Sequence, residues 1–100
     1  MKSRFSGELI LVIYDISDDG LRLKVADFLR SKGLTRVQKS AFVGPATSAL
    51  RIEVEAGLKR LVRGKKGVNI QIYPIPPSSY SRRVVIGELK EYDFGAVEVF

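Results

Sequence analysis

The stretch "TSALRIEVEAGLKRLVRG", residues 47–64, decides the fold, because two periods compete in it. Leu50, Ile52 and Val54 alternate with polar neighbours as a strand would. Over the longer window, Leu50, Val54, Leu58, Leu61 and Val62 fall on one stripe of a helix. The longer pattern takes precedence, with Thr47 or Ser48 as cap and Gly64 as stop, so the segment is predicted to be helical. Gly57 counts against this reading, since glycine inside a helix costs about 1 kcal/mol relative to alanine.

Working outward, "ELILVIYD", residues 8–15, is nearly continuous in aliphatic residues, as a strand covered on both faces would be. Leu21, Val25, Phe28 and Leu29 then make an apolar helical stripe. Ser17, Asp18 or Asp19 can cap that helix and Gly33 can end it, which gives a helix over about 18–32. "TRVQKSAFVG", residues 35–44, alternates: Val37, Ala41 and Val43 fall on one face, and Arg36, Gln38, Ser40 and Phe42 on the other. It is extended as far as Gly44 and Pro45, but its pattern does not decide between one bent strand and a tight hairpin. "VNIQIYPIP", residues 68–76, alternates again. "PPSSYSRR" is read as a linker, followed by a short strand "VVIG" at 84–87 and a polar tail. Strand, helix, extended segment, helix and strand, with two helices on one face of an antiparallel sheet, give an α+β ferredoxin-like sandwich. Residues 1–76 would form its core, and residues 77–100 a linker, an extra strand and a tail.

Composition limits the chemistry. The 100-residue chain is 45% hydrophobic and carries neither cysteine nor histidine. That excludes disulfides, thiolate metal sites and the commonest side-chain base, leaving carboxylates, hydroxyls and cations. No segment is long and apolar enough to span a bilayer. The short apolar run near the start closes on Tyr14 and Asp15 instead of on a cleavage site, so a cytoplasmic location is expected. Seventeen Lys and Arg against eleven Asp and Glu give +6, unevenly spread. Lys59, Arg60, Arg63, Lys65 and Lys66 cluster without an acid, whereas residues 88–98 hold four acids and one lysine. A basic body of this kind favours phosphate-bearing partners.

"LVIYDISDD", "RLKVADFLRSKGLTRVQKSAFVG" and "IQIYPI", in this order and spacing, resemble the CRISPR-associated protein 2 family over roughly residues 8–75, and "RRVVIG" continues the likeness in the manner of archaeal members. The resemblance implies a homodimer of ferredoxin-like protomers in which the C-terminal strand is added to the partner's sheet. It implies a nucleic-acid-binding protein of CRISPR adaptation. Some members are metal-dependent endonucleases acting on single-stranded RNA or duplex DNA. Others serve as a non-catalytic scaffold that bridges integrase subunits on DNA.

On the family pattern Asp15 is the metal ligand, for Mg²⁺ or Mn²⁺. Tyr14, Arg22, Arg36 and Phe42 fall on positions tied to activity or nucleic-acid contact. One carboxylate makes a poor Mg²⁺ site, so a two-fold axis supplying the partner's Asp15 is expected to complete it. The competing reading of Asp15 is a strand-end turn residue. Asp18 and Asp19 suit a helix start, and Ser17 a cap, since no base stands near to activate it. Tyr14 could orient a water, stack on a base or pack in the core. Arg22 and Arg36 could clamp phosphate, and Phe42, read on a polar face, could stack on a base or at the dimer interface. Lys59, Arg60 and Arg63 are the candidates for a duplex backbone track. A regulatory subunit binding a small molecule is disfavoured, because no glycine-rich phosphate loop is present.

Overall fold

The computed structural model describes residues 8–89. The elements are β1 (Leu9–Ile16), α1 (Asp19–Ser31), β2 (Thr35–Gln38), β3 (Ala41–Pro45), α2 (Ser48–Val62), β4 (Val68–Ile75) and a short α3 (Pro77–Ser81). The four strands form one antiparallel sheet in the order β2-β3-β1-β4. This is the βαββαβ arrangement expected of a ferredoxin-like sandwich.

The ambiguous stretch is helical. Thr47 Oγ1 accepts from the Leu50 backbone N–H at 3.2 Å, and the helix runs to Val62 before Gly64 turns the chain with φ 74°. Ile52, which suggested a strand, is 66% exposed on the outer face, while Val54 and Leu58 are buried. Gly57 also has a packing reason. A β-carbon there would lie 2.2 Å from the Phe28 ring, so α1 and α2 approach where only glycine fits. Gly57→Ala is therefore expected to destabilise the fold by about 1–3 kcal/mol, against helix propensity, because overpacking outweighs the gain. Urea denaturation measures it, and a stabilised variant would contradict the packing account.

The α1 start resolves to Asp18, whose carboxylate accepts from the Leu21 N–H at 2.7 Å, and Gly33 with φ 88° follows the helix. Strand β1 sends Ile10, Val12, Tyr14 and Ile16 into the layer beneath the helices, where they meet Leu21, Val25, Leu29, Val54 and Leu58. Its odd residues, Leu11, Ile13 and Asp15 among them, lie on the opposite face of the sheet.

Residues 35–45 form a hairpin. Arg36 pairs with Phe42 and Gln38 with Ala41, so Val37 is an extra residue in a bulge. Phe42 also pairs with Val12 and is fully buried. The face read from sequence as polar is thus the helix-facing one at Phe42, and its placement there removes it as an exposed stacking surface. Arg36 lies over the ring, with its guanidinium carbon 5.5 Å from the Phe42 centroid.

The expected linker at 76–81 is instead one helical turn and a half, with Pro77 at the helix start, where its missing N–H costs nothing. The expected strand at 84–87 is not formed within the single chain, where Val84 is 82% and Ile86 is 93% exposed. A strand needs an edge to pair with, and none of the four described strands supplies one to this segment. The acidic tail beyond Leu89 lies outside the described residues.

Candidate metal and phosphate site at the end of β1

The alternation that buries Tyr14 and Ile16 turns Asp15 outward, next to the hairpin turn from which β3 starts at Ala41. The Tyr14 N–H donates to Ser40 O at 3.0 Å, which holds that turn against β1. A cleft of about 470 Å³ opens there, lined by Asp15, Asp19, Arg22, Arg36, Lys39 and Ser40 among others. Three of the residues singled out from sequence, Asp15, Arg22 and Arg36, thus meet in one place.

Both arginines are anchored by backbone. One Arg22 nitrogen donates to Ile16 O at 3.1 Å, at the very end of β1, and another pairs with the Asp19 carboxylate one turn back on α1. Arg36 Nη2 donates to Lys39 O at 3.1 Å across the hairpin turn. Such bonds reduce the side-chain freedom that an arginine otherwise loses when it grips an anion. With Lys39 the cleft carries three cations against two carboxylates, a balance suited to a phosphodiester.

Tyr14 is not in this cleft. It is 6% exposed on the helix-facing side, its ring stacked on Phe42 with centroids 6.4 Å apart and planes 24° from parallel. Burial pushes its phenol above the ordinary value, opposed by Arg36 and, more weakly, by Arg30 and Arg22. In the single chain the ring is thus packed beneath the helices, one of the placements its sequence left open. The strand period had already assigned it the parity of Val12 and Ile16.

Lys59, Arg60 and Arg63 are exposed and stand apart from the cleft, on α2 and just beyond its end. Lys59 is paired with Glu55 at 3.0 Å and borders a separate groove between α2 and β4. The next two cations of that cluster, Lys65 and Lys66, lie between α2 and β4. The turn carrying Lys65 and Lys66 is tied to the end of β1 by the Ser17 N–H, which donates to Gly67 O at 3.0 Å. Gly67 has φ 68°, and a β-carbon on it would come within 2.7 Å of Ser17 Oγ, so glycine is required. Sequence reading missed Lys39, Ser40 and Asn69 as neighbours of Asp15. Strand pairing sets Asn69 directly across from Asp15, and the hairpin turn brings Lys39 and Ser40 beside it.

Among the described residues no group of three or more metal-ligating side chains converges. The donors beside Asp15 are hard oxygens, from Asp19, already paired with Arg22, and from Ser40. Oxygen donors of this kind fit Mg²⁺ or Mn²⁺, but a single uncommitted carboxylate per chain is half of such a site.

Residues 8–83 match the family model described as CRISPR associated protein Cas2. The chain is 50% identical over 66 residues to a CRISPR-associated endoribonuclease Cas2 of Korarchaeum cryptofilum, covering 66% of this chain and 70% of that protein. It is 37% identical over 84 residues to a CRISPR-associated endonuclease Cas1/endonuclease Cas2 fusion of Thermoproteus tenax, covering 71% of this chain and 32% of the longer fusion. Among solved structures, a hypothetical protein TT1823 from Thermus thermophilus superposes with a TM-score of 0.71 at 30% identity, covering 85% of this chain and 96% of that one. A crystal structure of a Cas2 gives 0.70 at 28% identity, covering 95% and 99%. The sheet order, the outward aspartate closing β1 and these matches lead to one conclusion: the chain belongs to the CRISPR-associated Cas2 family.

Proposed function

We propose that two copies of this chain form a nuclease that hydrolyses phosphodiester bonds in RNA or DNA, with Asp15 of each copy as the metal ligand. The observation that carries this reading is the exposed Asp15 at the mouth of a cleft whose two arginines are anchored by backbone carbonyls. The names of the relatives, endoribonuclease and endonuclease, support the reaction class. Mg²⁺ or Mn²⁺ between Asp15 and the partner's Asp15 would activate a water and offset charge on the phosphoryl oxygens. Arg22, Arg36 and Lys39 hold the scissile phosphate, and Lys65 and Lys66 meet the strand beside it. Lys59, Arg60 and Arg63 follow the backbone farther along, without reading bases.

A homodimer is supported by apolar surface that a lone chain leaves open. Tyr73 is 44% exposed on the sheet face away from the helices, and Val84 and Ile86 are exposed beyond α3. The fused relative supports a Cas1-type integrase subunit as a further partner. The position of Lys59, Arg60 and Arg63 away from the cleft favours a second reading, in which the dimer holds DNA for that integrase without cutting it.

Labelled single-stranded RNA and duplex DNA, incubated with the dimer in Mg²⁺, Mn²⁺ or EDTA, separate the two. The nuclease reading expects cleavage in either metal and none in EDTA. Cleavage that persists in EDTA defeats the metal role. Binding without cleavage, lost when Lys59, Arg60 and Arg63 are neutralised, establishes the scaffold instead.

A further inference from the structure

The open face of β4 carries a row of polar side chains that ends at Asp15. Asn69, Gln71 and Tyr73 lie on one side of the strand, and the sheet register places Asn69 opposite Asp15, Gln71 opposite Ile13 and Tyr73 opposite Leu11. The Tyr73 hydroxyl donates to Gln71 Oε1, and Gln71 Nε2 donates to Asn69 Oδ1 at 2.9 Å. Each bond therefore points the same way along the strand, toward Asn69. With its carbonyl oxygen engaged, Asn69 has its amide N–H donors left to offer a neighbour across the sheet. That cross-strand neighbour is the Asp15 carboxylate, at a pair spacing of about 4.5–5.5 Å between β-carbons.

We infer that Asn69 is the positioning residue of the metal site. It donates to one oxygen of Asp15 and leaves the other for the cation, with Gln71 and Tyr73 fixing the amide's orientation behind it. This rests on the reading of Asp15 as the metal ligand. The chemistry favours such a row in this place. Apolar Leu11 and Ile13 on β1 offer Gln71 and Tyr73 nothing to bond, so the β4 side chains bond along their own strand. Hydrogen bonds in a chain polarise one another, and a carboxylate at the accepting end is where that polarisation counts most. Partners that orient a ligating carboxylate commonly govern metal affinity tenfold or more.

Mn²⁺ binding by the dimer, followed by the electron paramagnetic resonance signal of the free ion, tests it without reference to cleavage. Asn69→Ala is expected to weaken binding about tenfold, and Tyr73→Phe, which keeps the ring and removes the donor, about two- to threefold. Asp15→Ala should abolish it. Unfolding midpoints in EDTA, expected to be unchanged for Asn69→Ala and Tyr73→Phe, separate positioning from a structural role. Wild-type Mn²⁺ affinity in Asn69→Ala, with binding lost in Asp15→Ala, overturns the role of Asn69 alone. Wild-type affinity in Asp15→Ala overturns the metal reading, and the positioning role with it.

Discussion

Asp15→Ala, compared with the wild type at equal dimer content, is expected to slow metal-dependent cleavage of RNA or DNA by about a thousandfold. The cleft keeps Arg22, Arg36 and Lys39 and still binds phosphate, but it loses the carboxylate proposed to hold the cation. Removing a group that stabilises developing charge costs about 10²–10³ in rate, and a metal supplies both charge stabilisation and the activated water. The substitution should leave folding untouched, because Asp15 is exposed and takes no part in the apolar cluster. An unchanged unfolding midpoint would exclude the trivial cause. Nucleic-acid affinity should change little, since the cations that meet the backbone remain. Cleavage that survives the substitution at the wild-type rate contradicts the assignment.

Phe42→Ala is expected to destabilise the protein by about 3–5 kcal/mol, the range for a buried aromatic ring truncated in a core. Phe42 is fully buried, pairs with both Val12 and Arg36, stacks with the Tyr14 ring and has the Arg36 guanidinium over its own. A chain of this size has only about 5–15 kcal/mol in total, so the variant would sit near the unfolding threshold at physiological temperature. Urea denaturation gives the value. The same measurement separates the two readings of this residue. If Phe42 stacked on bases, the variant would fold normally and lose nucleic-acid affinity instead, and that result would contradict the buried placement.

Phe42 also shows why part of the site was legible in the sequence and part was not. Period-2 alternation gave the right partition for β4, an unbroken eight-residue strand, whereas β1, read from its aliphatic run as covered on both faces, alternates between a buried and an open face. Alternation misled at residues 36–42, where a turn and the bulge at Val37 break the parity on which the reading relied. Arg36 and Phe42 do share a face, but that face is set by their pairing with each other and by the pairing of Phe42 with Val12, two contacts that no local pattern contains. Helix α2 was recoverable because its stripe is longer than the three-residue strand mimic inside it. The reason for Gly57 was not, since it lies on the other helix, in the ring of Phe28. The outward turn of Asp15 follows from strand period alone. Its company, Lys39, Ser40 and Asn69, comes from segments 24 to 54 positions away and from the register of the sheet. The strand expected at 84–87 depends on an edge that one chain does not provide to it.

The proposed chemistry depends on the dimer. Among the described residues a single chain gathers no set of three metal-ligating side chains, and a two-fold axis is the economical source of the second carboxylate. Dimers containing one wild-type and one Asp15→Ala protomer, isolated through two different affinity tags, can be assayed in Mg²⁺ beside the two parent dimers. If the pair of aspartates holds one cation, the mixed dimer is as inactive as the dimer with both copies substituted. Half of the wild-type rate would mean that each chain works alone, and would contradict the shared site.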